Sequence, residues 1–426
     1  MEIHVVQSGE TLYSIAGRYG ADPRLLRELN GVPENSELAV GQTLVIRPVD
    51  TFHTVQPGET LTAIARAYGL TLRQLYRRNF WLGGRPTIRA GQSLVIAYGD
   101  APSARTHTNG YAYPFISAQL LDAELPYMSY LTPFTYGIDA SGGLLPLNDA
   151  SMLSQARALG TAPLMHLSTL TETDNFSSER AVMVLTNRSI QDTLIDQIMN
   201  TIAAKGYQGL DVDFEYIPGA QRTGYAAFIH RLRDRLAAAG LPVIVALAPK
   251  NSAEQPGLLY EAHDYALLGA AADFVLLMTY EWGYTAGPPM AVAPLPNVRR
   301  VLDYAITEIP RQKIYLGIPN YGYDWPLPFV QGTTRAQSLS NQAAVELAVR
   351  YGAVIQYDQT AQSPWFEYTD PNGTPHVVWF EDARSMSAKL RLIDEYDLYG
   401  AGYWNLMRPS PQGWTVLDAL YEVEDG

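Results

Sequence analysis

The chain has 426 residues, 47% of them hydrophobic and 11% aromatic, an ordinary globular composition that excludes wholesale disorder, collagen-like repeats and coiled coil. At roughly 100–200 residues per domain, with α/β barrels reaching about 250 or more as one unit, there is room for two or three domains. A formal net charge of −13, from 30 basic and 43 acidic side chains, opposes nucleic-acid binding by phosphate neutralisation, and the absence of cysteine excludes disulfides, thiolate zinc sites and a cysteine nucleophile.

The N-terminus, MEIHVVQSGETL, has no basic segment followed by an apolar run, so no conventional secretory leader is expected. Apolar stretches such as VIVALAP and FVLLM are too short to span a bilayer, and no membrane partner is expected. The first hundred residues hold an internal repeat. Residues 4–30 and 53–79 align without gaps, with 14 of 27 positions identical. Each copy closes with a second matching run, VGQTLVI at 40–46 and AGQSLVI at 90–96. Leu12, Ile15, Ala16 and Tyr19 recur at helical spacing, as do Leu61, Ile64, Ala65 and Tyr68, so each unit reads strand, helix, helix, strand. The second helix of each unit ends at Asn30 or Asn79, read as its C-cap.

These features resemble the LysM domain, a small βααβ carbohydrate-binding module, over residues 1–48 and 51–97. The resemblance implies binding of N-acetylglucosamine chains, as in peptidoglycan and chitin, in a groove between the first strand–helix turn and the loop before the last strand. It points to Gly9, Glu10, Thr11 and Leu12 with Asn30, Gly31 and Val32 in the first copy. In the second it points to Gly58, Glu59, Thr60 and Leu61 with Asn79, Phe80 and Trp81. From the residues alone, G-E-T-L is equally a turn followed by a threonine helix cap.

A stretch rich in turn-formers, 98–110, reads as a linker. Residues 1–100 carry ten basic and nine acidic side chains, so the acidity belongs to residues 101–426. From 111 to 426, eight apolar strand patterns alternate with helical ones: 111–116, 127–136, 162–168, 209–216, 242–249, 274–280, 313–319 and 399–406. This α/β alternation predicts a (β/α)8 TIM barrel. The long interval at about 331–380, with hairpin signals around Pro371-Asn372-Gly373, reads as an α+β insertion between the seventh and eighth strands.

The segment GLDVDFEY (209–216) carries the chemistry. Strand alternation puts Asp211, Asp213 and Glu215 on one face and Val212 and Phe214 on the other. In a barrel strand the acids point inward, with Glu215 nearest the C-terminal mouth, where barrel active sites sit. Three inward carboxylates repel one another, so at least one should hold a proton near neutrality, which suits a general acid. The same pattern fits a solvated acidic face on an edge strand, or a hard-cation site of Mg²⁺ or Ca²⁺ type.

The segment resembles the D-G-x-D-x-D-x-E signature of glycoside hydrolase family 18, the chitinase family, written here from Gln208 to Glu215. Met278-Thr-Tyr280-Glu281 resembles the family's M-x-Y-D on the sixth strand. Trp404 falls where the family has its eighth-strand tryptophan, and Phe134 where it has a second-strand aromatic. The resemblance implies substrate-assisted hydrolysis without metal or cofactor: Glu215 as acid and base, Asp213 orienting the substrate's acetamido group and sharing a proton with Asp211, and Tyr280 bonding the acetamido oxygen. Trp404, Met278 and Glu281 would contact the sugar, and Tyr136 and Asn320, with Tyr321 and Tyr323, fall where rim ligands belong. Gln208 replaces the first acid of the signature, a position deep in the family barrel, so a modified proton network is expected; Glu281 is one methylene longer than the family's aspartate. His166 and His263 read as structural.

Two LysM copies on such a barrel resemble bacterial spore cortex-lytic N-acetylglucosaminidases. The resulting expectation is a monomeric, spore- or cell-wall-associated hydrolase of peptidoglycan, cutting after N-acetylglucosamine while the LysM copies hold the polymer. A chitinase, or a glycan-binding protein with a silent barrel, fits the same sequence.

Overall fold

The structure, a computed structural model, describes residues 1–34, 36–173 and 175–426. The first unit runs β1 (Glu2–Val5), α1 (Leu12–Tyr19), α2 (Pro23–Asn30), β2 (Thr43–Ile46); the second runs β3 (Val49–Thr54), α3 (Leu61–Ala67), α4 (Leu72–Arg78), β4 (Ser93–Tyr98). Within each unit the two strands pair antiparallel. Each has a small core of its own, built around Ile15, Ala16 and Leu26 in one and Ile64, Ala65 and Leu75 in the other. The repeat extends to the polar groups. Thr11 and Thr60 cap α1 and α3 by accepting the amides of Ser14 and Ala63. Glu10 accepts the Gln7 amide at 2.8 Å and lies 2.7 Å from His4, while Glu59 accepts the Gln56 amide at 2.7 Å and lies 2.8 Å from His53. That turn amide, then the histidine, holds the Glu10 carboxyl down at about 2.

The C-cap of α2 is Gly31, in the left-handed region at φ 60°, and Asn30 is the last helical residue. The Asn30 carboxamide is buried: it accepts the Val45 amide at 2.6 Å and donates to the Leu26 and Val45 carbonyls. Asn79 does cap α4, and its buried carboxamide repeats these bonds with Val95 and Leu75. Both asparagines therefore pin a helix end to the last strand. Their donors and acceptors are spent inside the fold, which removes them from the expected glycan groove.

The barrel strands are β5 (Ala104–Ala112), β6 (Tyr130–Pro133), β7 (Ala162–Pro163), β8 (Met165–Ser168), β9 (Leu210–Asp213), β10 (Val243–Leu247), β11 (Phe274–Leu277) and β12 (Ile314–Pro319), followed by an insertion and then β18 (Gly400–Trp404). The insertion holds β13 (Gly322–Pro326), β14 (Gln337–Leu339), β15 (Gln356–Asp358), β16 (Ser363–Thr369) and β17 (Pro375–Trp379), an antiparallel sheet with the helix Asn341–Tyr351 against it. In the barrel, β7 and β8 are one strand broken at Leu164: β7 pairs with β6 and β8 with β9, so the ring of eight parallel positions closes through both pieces. A short β19 (Tyr421–Val423) pairs with the start of β5.

Two boundaries differ from the sequence expectation. The first barrel strand begins at Ala104, inside the span read as linker, because its polar residues Thr106, Thr108 and Asn109 are buried in the sheet and not solvated. The insertion begins at Gly322, before the expected 331, because β13 follows β12 almost without a break.

The repeats pack directly on the barrel. In the second unit, Arg73 donates to the Gly160 and Met128 carbonyls, and Arg77 to Pro126 and Glu422. Those partners sit in segments that lead into β6 and β7 or lie beside the start of β5, so this unit covers the N-terminal face of the barrel. The first unit lies along the helix Pro411–Leu420 and reaches the insertion. Gln412 bonds Asn30 and Thr43, and the Ile355 amide donates to Val40. A Cβ on Gly41 would stand 1.9 Å from the Ile355 carbonyl oxygen, so only glycine permits that approach. The turns at Gly9 and Gly58 have open space about them.

Candidate active site

Strand β9 directs the acids inward. On its outer face, Val212 and Phe214 are fully buried, and the Phe214 ring stacks on Tyr225 of the helix Arg222–Ala237 at 5.7 Å and 3°. Burial of such a ring is worth about 2–3 kcal/mol, which fixes which face of the strand looks into the barrel. Asp211 lies in register with His166 on β8 and Ile244 on β10, in the interior layer. Asp213 follows one layer higher, and Glu215 stands just beyond the end of the strand, at the C-terminal mouth.

Asp211 is fully buried. Its Oδ2 accepts the Tyr111 hydroxyl at 2.5 Å and Asn109 Nδ2 at 3.3 Å, and Asn109 is itself oriented by Thr132 at 2.8 Å. Burial outweighs those two donors and raises the Asp211 carboxyl to about 7. Asp213 is raised well above the carboxylate range by burial, then by the charges of Glu215 and Asp211. Among the described residues, Oδ1 of Asp211 and Oδ1 of Asp213 are both buried without a hydrogen-bond partner. Two neighbouring carboxylates buried in this way favour protonation of at least one, which removes one of the buried charges. Glu215 is raised to about 7, by burial first and then by the charge of Glu281. It is therefore poised between acid and carboxylate near neutral pH and can both give up and take back a proton.

Tyr280 is nearly buried beside these acids. Its ring has room because residue 317 is glycine, where a Cβ would come within 2.8 Å of it. Among the described residues its hydroxyl makes no hydrogen bond, and burial with the neighbouring acids holds it protonated as a donor. Glu281 accepts the Tyr321 and Tyr323 hydroxyls, so those two tyrosines are its partners at the foot of the insertion. Tyr216 and Glu281, each at the edge of the site, adopt left-handed backbone at φ 55° and 65°. The mouth opens as a cleft of about 980 Å³ lined by Glu215, Phe134, Tyr113, Phe115 and Trp404, among others. Phe134 and Trp404 meet edge to face at 5.0 Å. Trp404 stays half-exposed, an aromatic floor of the kind that packs on apolar sugar faces.

The expected residues Asp211, Asp213, Glu215, Tyr280, Glu281 and Trp404 thus come together at one end of the barrel, and half-buried Met278 packs against the same interior cluster as Trp404. Two others do not join them. Tyr136 faces outward: its hydroxyl donates to Asp149 at 2.6 Å and accepts from Lys205 at 2.7 Å, a buried polar cluster beneath the helices. Asn320 is 1% exposed and donates to the carbonyls of Asn405 and Arg408, so it ties two loops together. Gln208 is exposed and bonds the Gly206 carbonyl. It shares the strand parity of Val212 and Phe214, so it lies outside the barrel interior and alters no proton network there. His166 and His263 are buried and held neutral, at about 3 and about 4, by loss of solvent. His263 bridges the Ala248 amide and the Phe214 carbonyl, and His166 bonds Thr135. Sequence reasoning misses Asn109, Tyr111 and Tyr113; their signal is a period of two, H-x-N-x-Y-x-Y from His107 to Tyr113, which begins inside the apparent linker and runs on into the expected first strand.

Comparison with known proteins agrees with this geometry. Residues 171–408 match the glycosyl hydrolases family 18, and residues 4–47 and 53–97 each match the LysM domain. The cortical fragment-lytic enzyme of Bacillus subtilis (strain 168) is 40% identical over 431 residues, covering 99% of both chains. The crystal structure of the Bacillus megaterium QM B1551 spore cortex-lytic enzyme SleL superposes with a TM-score of 0.84 at 36% identity, covering 100% of this chain and 99% of that one. A chitinase from Chromobacterium violaceum ATCC 12472 matches 73% of this chain and 97% of its own, at 27% identity and a TM-score of 0.68. A family match over more than half the chain, taking in the strand that carries Asp211, Asp213 and Glu215, makes this protein a member of glycoside hydrolase family 18, a glycoside hydrolase with two N-terminal LysM domains.

Proposed function

We propose that the protein is an N-acetylglucosaminidase of spore-cortex peptidoglycan, acting by substrate-assisted hydrolysis with retention. The observation that carries the mechanism is the Tyr280 hydroxyl, without a hydrogen-bond partner among the described residues, beside buried Asp213 and a Glu215 poised near neutrality to give its proton. Those groups match an acetamido group and a glycosidic oxygen. Glu215 gives its proton to the glycosidic oxygen as the C–O bond breaks. The acetamido carbonyl oxygen of the same sugar attacks the anomeric carbon. Asp213 accepts the acetamido N–H and balances the positive charge that develops on the ring so formed, while Tyr280 donates to the acetamido oxygen. Water, deprotonated by Glu215, then adds to the anomeric carbon from the face just vacated as the bond to the acetamido oxygen breaks and the acetamido group is restored, and two inversions give retention. This departs from the two-carboxylate scheme because the nucleophile belongs to the substrate.

The substrate reading is supported by similarity along the whole chain to enzymes named for the spore cortex, LysM copies included. It carries with it association with the spore or cell wall.

The test is mass spectrometry of soluble products from purified cortex peptidoglycan and from chitin oligomers, each with wild type and Glu215→Gln. Cortex fragments ending in reducing N-acetylglucosamine, made by wild type alone, are the expected result. Turnover of chitin oligomers only would move the protein to the chitinases, and no product from either, with binding intact, would leave a glycan-binding barrel.

A further inference from the structure

The cleft has a second lobe of about 270 Å³ under the insertion, bordered by Glu281, Tyr321, Tyr323 and Arg408; Trp404 lines both lobes. Among the described residues, Arg408 is the one cationic side chain that lines either lobe. Among those residues it has no carboxylate partner, and its Nη1 is buried without any hydrogen bond. Glu281, in the same lobe, is engaged by Tyr321 and Tyr323 instead. Elsewhere the chain pairs its buried guanidinium groups: Arg47 lies 2.7 Å from Asp418, and Arg77 bonds Glu422. Arg408 is also held in place, since its carbonyl accepts Asn320 at 2.8 Å.

A guanidinium drawn partly out of water without an acceptor is unfavourable, and its planar fork of donors suits a carboxyl oxygen above other partners. We propose that Arg408 reads the carboxyl-derived group on the lactyl ether of a muramyl sugar, either a carboxylate or the carbonyl it becomes in an amide or lactam. The inference rests on the peptidoglycan reading above. With N-acetylglucosamine at Glu215, strict alternation places a muramyl sugar on both sides, so the lobe beside Glu281 receives one. Chitin has no such group. Arg408 is then the residue through which this cleft tells the two polymers apart.

The test crosses one enzyme change with one substrate change. Wild type and Arg408→Met are assayed on an N-acetylglucosaminyl–N-acetylmuramic acid tetrasaccharide and on the same compound with its lactyl carboxyls reduced to alcohols. Wild type should prefer the carboxylated compound by about 10- to 100-fold in kcat/KM, the effect of one charge-assisted hydrogen bond, and the variant should lose that preference. The wild-type comparison stands even if the variant fails to fold. Equal kcat/KM on the two compounds for wild type, or the same preference retained by the variant, overturns the assignment while leaving the glucosaminidase in place. Turnover of chitin tetramer with neither muramyl compound cleaved overturns the peptidoglycan reading itself.

Discussion

Glu281 is expected to set the upper end of the pH range by raising the carboxyl of Glu215. The structure gives Glu215 two causes for its rise from 4.5 to about 7, burial first and the Glu281 charge second. Glu281→Gln removes the charge, keeps the volume, and leaves a carbonyl to accept Tyr321 and Tyr323. The smaller of two causes supplies less than half of the rise, which bounds the change at about 1 pH unit. Its direction comes from the acid's role. In the proposed mechanism Glu215 must be protonated to act, so kcat/KM is expected to fall as pH rises through its pKa, near 7 in the wild type. Relieved of a negative neighbour, Glu215 ionises more easily, and the falling limb moves to lower pH. The assay is kcat/KM on a soluble oligosaccharide from about pH 4 to about pH 9, because that ratio reports the free enzyme. At pH 8 the variant should be slower than wild type by up to about tenfold, while the two converge near pH 5 apart from any loss of sugar contact. A limb that stays in place or moves upward would refute this assignment of the two carboxyl groups.

Three further outcomes are expected. Glu215→Gln should lower kcat by about 100- to 10,000-fold on any cleaved substrate, the usual share of general acid–base catalysis, measured by product release. Its effect on stability has the opposite sign: the folded-state pKa lies above the unfolded value, so ionising Glu215 destabilises the fold as pH rises from 4.5 towards 7 and beyond. The variant should therefore gain up to about 3 kcal/mol over wild type at pH 8 and nothing near pH 4, as thermal unfolding at both pH values will report. Tyr111→Phe deletes the shorter of the two bonds to Asp211 and should slow turnover by about tenfold or more with little change in KM, since that network supports the acid and touches no sugar. Arg47→Met removes a buried cation shared by Asp418 and Asp100 and stacked 3.8 Å over Tyr98; denaturant unfolding should show a loss of about 3–5 kcal/mol as Asp418 loses its nearer partner.

Much of the catalytic centre was legible because its information is local. Alternation within one strand puts Asp211, Asp213 and Glu215 on a common face whatever surrounds them, and burial of Val212 and Phe214 chooses which face that is. The surroundings of that strand were not legible in the same way. Tyr111 and Asn109 reach Asp211 from β5, about a hundred residues earlier, and the first part of their strand, up to residue 110, is polar enough to pass for a linker. Tyr136 and Asn320 were expected at the rim because they follow strands, yet each turned to a buried polar cluster that the local pattern does not contain. Asn30 and Asn79 looked like ligands for the same reason that they make good pins: a carboxamide serves either role, and only the distance to Val45 or Val95 decides. Gln208 was misplaced although parity alone would have put it outside.

The placement of the two repeats changes how their contribution to catalysis should be reckoned. A module on a loose linker raises the local concentration of substrate in proportion to the volume it searches. Here neither module searches. The second is held under the barrel by Arg73 and Arg77, on the face opposite Glu215, and the first is locked to the helix Pro411–Leu420 and the insertion. Parts of their helix–strand loops are committed as well. A Cβ on Gly31 would meet Pro411 at 2.7 Å, and one on Gly84 would meet the Asp122 carbonyl at 2.0 Å, whereas the turns at Gly9 and Gly58 stay open. A glycan held at those open turns is held at a fixed distance and angle from the cleft. Geometry then decides whether one strand reaches both sites, and a strand gripped beneath the barrel is a different stretch of polymer from the one being cut. If the substrate is the cross-linked polymer proposed above, a glycan bound at those turns keeps the enzyme on the polymer through each cut, because hydrolysis at the mouth does not release the grip on the opposite face.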